Sequence, residues 1–195
     1  MGKLSGTETS ENLARAFAGE SQARNRYTFY AEYAKQEGHA VLEQEFKLIA
    51  ENERAHAKVF YDLLVDGMGG PSNVNVDAGY PFELGDTVAN LYSAAHGEHE
   101  EHSKIYPTFA DIAKKEGFPQ VEAAFRMIAN IEREHEKKFK QLAEELKSKT
   151  LYQKKEPQQW ICTNCGHIHQ GTDAPGICPV CKHDQGWFEV RKNQY

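Results

Sequence analysis

The chain has 195 residues, with 23 Lys and Arg against 29 Asp and Glu, a net charge of −6 and an isoelectric point near 5.9. That acidic balance argues against nucleic acid or an anionic membrane as partner. Met1 to Glu20 lacks an apolar run suited to a signal peptide and a Ser or Thr at the sixth position for myristoylation. No stretch approaches a membrane span, so a cytoplasmic protein is expected.

Residues 1–8 are polar. Thr9 or Ser10 can cap a first helix, with Glu11 in the favourable first turn, and the helix should reach Glu37 before Gly38. Its inward positions recur at alternating steps of four and three: Leu13, Phe17, Glu20, Ala23, Tyr27, Tyr30, Ala34. A second helix, His39 to Asp66 with Gly67 ending it, carries Leu42, Phe46, Ile49, Glu53, His56, Phe60 and Leu63. The short break between them makes the two antiparallel neighbours. Residues 67–85 are rich in Gly and Pro and suit a crossover along the bundle. Asp86 or Thr87 caps a third helix to Glu116, with the stripe Val88, Leu91, Ala95, Glu98, His102, Ile105, Phe109, Ile112 and a kink expected at Pro107. A fourth runs from Pro119 to Lys147 and aligns Val121, Phe125, Ile128, Glu132, His135, Phe139, Leu142 and Leu146.

Glu and His thus stand on the same lines as Leu and Phe, where an unpaired charge is costly. One Glu-x-x-His pair reads equally well as a surface contact. Two of them, Glu53-x-x-His56 and Glu132-x-x-His135, joined by Glu20 and Glu98 from the other two helices, form the ligand set of a di-iron or di-manganese carboxylate bundle. Four such glutamates sum to −4, which two divalent ions neutralise; the bland alternative is a network of protonated carboxyls. The halves repeat at an offset of 79, as in Tyr27 and Tyr106 or Glu53 and Glu132, except that Glu20 and Glu98 are 78 apart. One extra residue has therefore entered between Glu98 and Tyr106. Absorbed as a π-bulge, it would let Glu98 and Glu101 both face the metals. In a regular helix Glu101 lies about 60° to one side of Glu98 and His102 about 40° to the other, so periodicity slightly prefers His102. His96 and His99 read as solvated.

Residues 148–158 read as a polar linker, and all four cysteines follow in the last 34 residues, as Cys162-x-x-Cys165 and Cys178-x-x-Cys181. A segment so small needs a staple, and four thiolates bind a metal. A zinc ribbon is one reading. Cys178-Pro179-Val180-Cys181 with Trp160, Trp187 and Phe188 points to a rubredoxin-like iron site, which thiolate geometry alone does not separate from zinc.

With Gly19-Glu20-Ser21-Gln22-Ala23-Arg24, Gly97-Glu98-x-x-Glu101-His102, both Glu-x-x-His pairs and both knuckles in place, the chain resembles the rubrerythrin family almost end to end. The resemblance implies a mainly α protein: a ferritin-like four-helix bundle at 1–148, a linker at 149–156 and a rubredoxin-like domain at 157–195. It implies a non-haem di-iron peroxidase that reduces hydrogen peroxide to water in oxidative-stress defence. Electrons would pass from reduced nicotinamide through a separate rubredoxin reductase-type donor and one iron held by Cys162, Cys165, Cys178 and Cys181. In the expected oxo- and carboxylate-bridged centre Glu53 and Glu132 bridge, Glu20 is terminal with His56 available, and Glu98 and His135 are terminal on the other iron. The family pattern makes Glu101 a ligand, exchanging with His56 between redox states. Tyr27 and Tyr106 either donate hydrogen bonds there or pack in the core. A helix of about 30 residues spans roughly 45 Å, so the tail leaves far from its own site. A homodimer with inter-subunit electron transfer, or a tetramer, is therefore expected. Lys182 departs from the glycine usual in rubredoxins. The rival reading is a ferroxidase or iron-handling ferritin-like protein.

Overall fold

The computed structural model describes residues 3–191; residues 1–2 and 192–195, the outer ends of the two expected domains, lie outside them. Helix α1 spans Glu8–Gln36. Its cap is Thr7, whose hydroxyl accepts the Ser10 N–H at 3.1 Å, rather than Thr9 or Ser10. Thr9 is drawn away because its backbone N–H and hydroxyl both donate to the Glu116 carboxylate. The segment before the helix is not merely polar, since Leu4 is buried and fills the space left by the absent side chain of Gly67. Helix α2, Ala40–Met68, runs through Gly67 and ends at Gly69, whose φ of 70° is the left-handed conformation a glycine adopts cheaply.

The third rod has three parts: α3 at Thr87–Glu100, a π-helical segment at Glu101–Ile105, and α4 at Tyr106–Lys115. Asp86 caps it by accepting the Ala89 N–H at 2.8 Å. The extra residue is thus taken up as a π turn, as its place in the repeat predicts. Pro107 falls in the first turn of α4, where its missing N–H costs little. The π turn also moves the buried stripe on by one residue. Tyr106, Ala110 and Ala113 are buried, while the expected Ile105, Phe109 and Ile112 are half-buried. Phe17 departs from its stripe as well: it is exposed at the α1–α2 edge, 5.7 Å from the Tyr61 ring. Helix α5 spans Pro119–Lys147.

The rods form the expected four-helix bundle, with residues 70–86 crossing it without regular structure. Tyr30 and Tyr80 tie that crossover down, donating to Glu83 O at 2.8 Å and Arg15 O at 2.9 Å. One apolar cluster holds Tyr27, Tyr30, Phe46, Leu91 and Phe139; another holds Leu13, Phe60, Tyr106 and Phe125. In every rod the candidate ligands fall between the two clusters.

Three antiparallel strands, β1 at Gln153–Cys162, β2 at Ile168–Asp173 and β3 at Phe188–Val190, make a small sheet in the order β2-β1-β3. β1 begins inside the expected linker. Just before it, Leu151 is buried against the bundle core, and the Tyr152 hydroxyl lies 3.1 Å from His39 Nδ1. Both side chains anchor what composition alone reads as a polar tether. The tail sits at the Gly38 end of its own bundle, where Gly186 meets the Gly38 carbonyl so closely that no Cβ would fit. Among the described residues, no helix is long and apolar enough to cross a membrane.

Candidate metal centres

Glu20 on α1, Glu53 and His56 on α2, Glu98 on α3, and Glu132 and His135 on α5 meet at one buried point. They form two groups of four whose donor atoms lie within 4.8 Å of one another: Glu20, Glu53, His56, Glu132 and Glu53, Glu98, Glu132, His135. Glu53 and Glu132 belong to both. The two groups are near copies, as a pseudo-twofold axis between the hairpins would relate them. His56 Nδ1 stands 3.0 Å from Glu53 Oε2, 2.9 Å from Glu132 Oε1 and 3.7 Å from Glu20 Oε2. His135 Nδ1 stands 2.8 Å from Glu132 Oε2, 3.2 Å from Glu53 Oε1 and 3.8 Å from Glu98 Oε2.

Apart from the 3.0 Å hydrogen bond between His56 Nδ1 and Glu53 Oε2, this cluster is held in close approach without aligned hydrogen bonds. Glu20 Oε2, Glu53 Oε1, Glu98 Oε2, both oxygens of Glu132 and His135 Nδ1 are buried with no hydrogen-bond partner. Buried polar atoms are normally paired, and donors aimed at a common point instead suit cations held between them. Burial, then the charge of the neighbouring carboxylates, pushes Glu20 and Glu98 well above the usual carboxylate range. Burial would raise Glu53 too, but the close His135 and His56 imidazoles hold it at about 2. Burial disfavours the charged form of His135, yet the surrounding glutamates lift it to about 12; His56 is raised in the same way. Two dications in place of those protons would leave the imidazoles neutral and give every orphaned oxygen a partner, so the residues fit a dinuclear centre.

The tyrosines support the carboxylates across the bundle. Tyr27 OH donates to Glu98 Oε1 at 2.6 Å and Tyr106 OH donates to Glu20 Oε1, each from the opposite helical hairpin. Burial first, and then the nearby glutamates, raise both phenols, so both remain donors. Glu101 stands outside both groups of four. Burial of its carboxyl and the charges of Glu20 and Glu98 push it well above the ordinary range. His102, which periodicity preferred, is turned away: its Nε2 meets Glu136 Oε2 at 2.5 Å, and His99 Nδ1 meets Glu136 Oε1 at 3.1 Å. The phase change at the π turn rotates His102 off the inward line. Sequence reasoning did not find Asn52, whose side-chain nitrogen lies 3.3 Å from His135 Nε2 and fixes the far side of that ring. Its place beside Glu53 was the available signal.

In the tail, Cys162 Sγ lies 3.6 Å from Cys181 Sγ, and Cys165 Sγ lies 3.7 Å from Cys178 Sγ. Four sulfurs about 2.3 Å from one ion have edges of about 3.75 Å, so the set matches a tetrahedral metal. The backbone N–H of His183, first among the causes, holds the Cys181 thiol down at about 5, and the N–H of His167 bonds Cys165 in the same position of its own knuckle. Trp160 and Phe188 close the site from behind.

Residues 11–143 match the family model for rubrerythrin, and residues 160–189 match that for the rubrerythrin rubredoxin-like domain. The chain is 48% identical to Rubrerythrin-1 of Clostridium acetobutylicum and 48% identical to the rubrerythrin of Clostridium perfringens, in each case over all of both chains. Fully reduced, all-ferrous nigerythrin superimposes with a TM-score of 0.63 at 26% identity, covering 96% of this chain and 91% of that one. The chain belongs to the rubrerythrin family: a ferritin-like bundle for a di-iron centre, joined to a rubredoxin-like domain for a tetrathiolate iron.

Proposed function

We propose that this oxidoreductase is a peroxidase that reduces hydrogen peroxide to water, with electrons relayed through the four-cysteine site. The observation that carries it is the presence of both centres in one chain, one buried and dinuclear, the other at the protein surface with Cys165 exposed. When bound, the iron pair supplies the two electrons that split an O–O bond, and the tetrathiolate iron returns them one at a time. Glu53 and Glu132, which belong to both groups of four, would be shared between two cations, with Glu20 and His56 completing one and Glu98 and His135 the other. Tyr27 and Tyr106 hold the terminal carboxylates in place. Glu101, at the inner end of the cavity beside Tyr106, is positioned to give a proton to a departing oxygen. The apolar clusters on both sides exclude water. A neutral imidazole suits two ferrous ions, so His56 rather than Glu101 would complete the first group when the centre is reduced.

Electrons would come from reduced nicotinamide through a separate reductase. The tail sits at the Gly38 end, and Gly38 to Glu53 is about 22 Å along α2. A partner's tail docked nearer mid-bundle shortens that path, which supports a homodimer with transfer between subunits. Cys165→Ser tests the relay: nicotinamide-driven peroxide consumption should vanish, while chemically reduced bundle iron should still be oxidised by peroxide. Unchanged turnover with the reductase would sink the relay and favour the ferroxidase reading, which needs no wire.

A further inference from the structure

Beside the carboxylates lies a cavity of about 530 Å³ between α1, the crossover and the third rod. Ala16, Pro81, Ile105 and Phe109 give it an apolar wall, and at its inner end it reaches Glu101 and Tyr106. Hydrogen peroxide would fill a small fraction of that space, which is in the range of sites for drug-sized molecules.

Arg26 also lines the cavity and is only 9% exposed. Its Nε donates to Gln22 Oε1 at 2.7 Å, but Nη1 is buried without a partner. The Tyr27 ring, 5.6 Å from the guanidinium carbon, offers partial compensation. Among the described residues no carboxylate lies within ion-pair distance of Arg26, whereas Arg15 is paired with Glu11 at 2.9 Å and Lys104 with Glu100 at 3.7 Å. The remaining acids of the wall, Asp77 and Glu83, are exposed at its mouth. A buried cation without a counter-charge is costly, and a guanidinium fork matches a carboxylate. Two glycines lie at the ends of the cavity, beside Arg26 and Glu101. A Cβ on Gly97 would lie 3.4 Å from Arg26 Nη2, and one on Gly19 would lie 3.9 Å from Glu101 Oε1.

We infer that the cavity takes an organic hydroperoxide bearing a carboxylate, with the carboxylate on Arg26, the apolar body along the wall and the hydroperoxide at Glu101. The inference rests on the peroxidase reading. The reaction would be R–O–OH plus two electrons and two protons giving R–OH and water: the O–O bond breaks, each oxygen gains a proton, and the electrons come from the same nicotinamide-linked donor.

The test uses the iron-loaded full chain with cumene hydroperoxide, its para-carboxylated form, and the alcohol product of the latter as a redox-inert ligand. The carboxylated alcohol should bind by calorimetry, and Arg26→Met should weaken it roughly tenfold or more, as the loss of a charge-assisted hydrogen bond predicts. Arg26→Met should also remove the preference of kcat/KM for the carboxylated over the neutral hydroperoxide, with hydrogen peroxide turnover unchanged. If Arg26→Met does not fold, Arg26→Lys, which keeps the charge but loses the fork, should still weaken the ligand several-fold. No binding, equal binding by the variant, or equal turnover of the two hydroperoxides by the wild type would overturn the inference. Failure with hydrogen peroxide itself would instead sink the peroxidase reading, and Arg26-dependent binding of the alcohol would then still uphold the anion site.

Discussion

The two helical hairpins of the bundle are copies with one difference. In α1 the chain passes from Glu20 through Ala23 to Tyr27 as unbroken helix, and Ala23 is buried in the apolar cluster. In the third rod the matching run from Glu98 to Tyr106 holds one residue more and a π turn, and Glu101 stands where the first hairpin has Ala23. What the copies share, two glutamates, a histidine and a tyrosine apiece, builds the symmetric part of the centre. What they do not share puts a further buried carboxyl, Glu101, and a cavity on one face of that centre. Symmetry places the metals, and the inserted residue makes the two sides chemically different.

The largest effect should come from breaking what both halves share. Glu132→Ala or Glu53→Ala removes a donor from both groups of four, and metal analysis should find both bundle ions lost. Peroxide turnover should fall by more than ~100-fold, the most that supporting residues alone usually command. Glu20→Ala or Glu98→Ala removes a donor from one group and should leave about one ion per bundle. Equal losses from terminal and shared positions would contradict the geometry. Next in size is removal of the asymmetry itself. Deleting Ser103 should restore an unbroken helix and turn the Glu101 side chain off the cavity wall, to the orientation its match Ala23 has in α1. Iron content should hold, because Glu101 belongs to neither group. Turnover should drop about 100-fold, the scale of a lost proton donor. Unchanged turnover would remove Glu101 from the chemistry.

The same comparison explains what could be read in the sequence. Four rods, their order and the inward Glu and His followed from a stripe of period near 3.6, because burial of one helix face dictates it. The π turn was visible only through the repeat, as an offset of 78 against 79. A single stripe carried through it misassigned Ile105, Phe109 and Ile112, as it did His102. The cap at Thr7 was missed because Thr9 is engaged by Glu116, a contact more than a hundred residues away that no local rule contains. Leu151 and Tyr152 were lost in a polar stretch for a similar reason. The Arg26 cavity needed two rods and the crossover in place before it existed.

Removing metal should reverse the pH response of the bundle. Without ions, Glu20, Glu98, Glu101, His56 and His135 all have raised folded-state pKa values. Between about pH 5 and 8 the folded chain therefore holds more protons than the unfolded one, so stability rises as pH falls. Glu53, held at about 2, opposes this only below the ordinary carboxylate range. With iron bound the ligands must be deprotonated, and acid should destabilise instead. Melting curves of stripped and loaded protein at the two ends of that window should slope in opposite directions by a few degrees. Parallel slopes would mean that the carboxylates and imidazoles are not the ligands.

The smallest effect belongs to a second pair of copies, the cysteine knuckles. Gly166 follows Cys165 at φ 76°, and Lys182 follows Cys181 at φ 65°. Both turns close alike, the Gly166 N–H on Cys162 O at 2.8 Å and the Lys182 N–H on Cys178 O at 3.0 Å. Only a residue with a side chain is strained there, by about 1–2 kcal/mol. Lys182→Gly relieves that strain but gives the unfolded chain more freedom, worth about 0.4–1 kcal/mol in the other direction. The exposed bond from Lys182 Nζ to Pro179 O at 2.9 Å adds little. A net gain of about 0.5–1 kcal/mol is expected from denaturant melts of the iron-loaded protein. The substitution also removes a positive charge near the thiolates, so the potential of the tetrathiolate iron should fall, by less at high salt because the ammonium is exposed. A stabilised variant with an unchanged potential would show that Lys182 is strain alone; a lowered potential with unchanged stability would show that its charge is why the chain tolerates it.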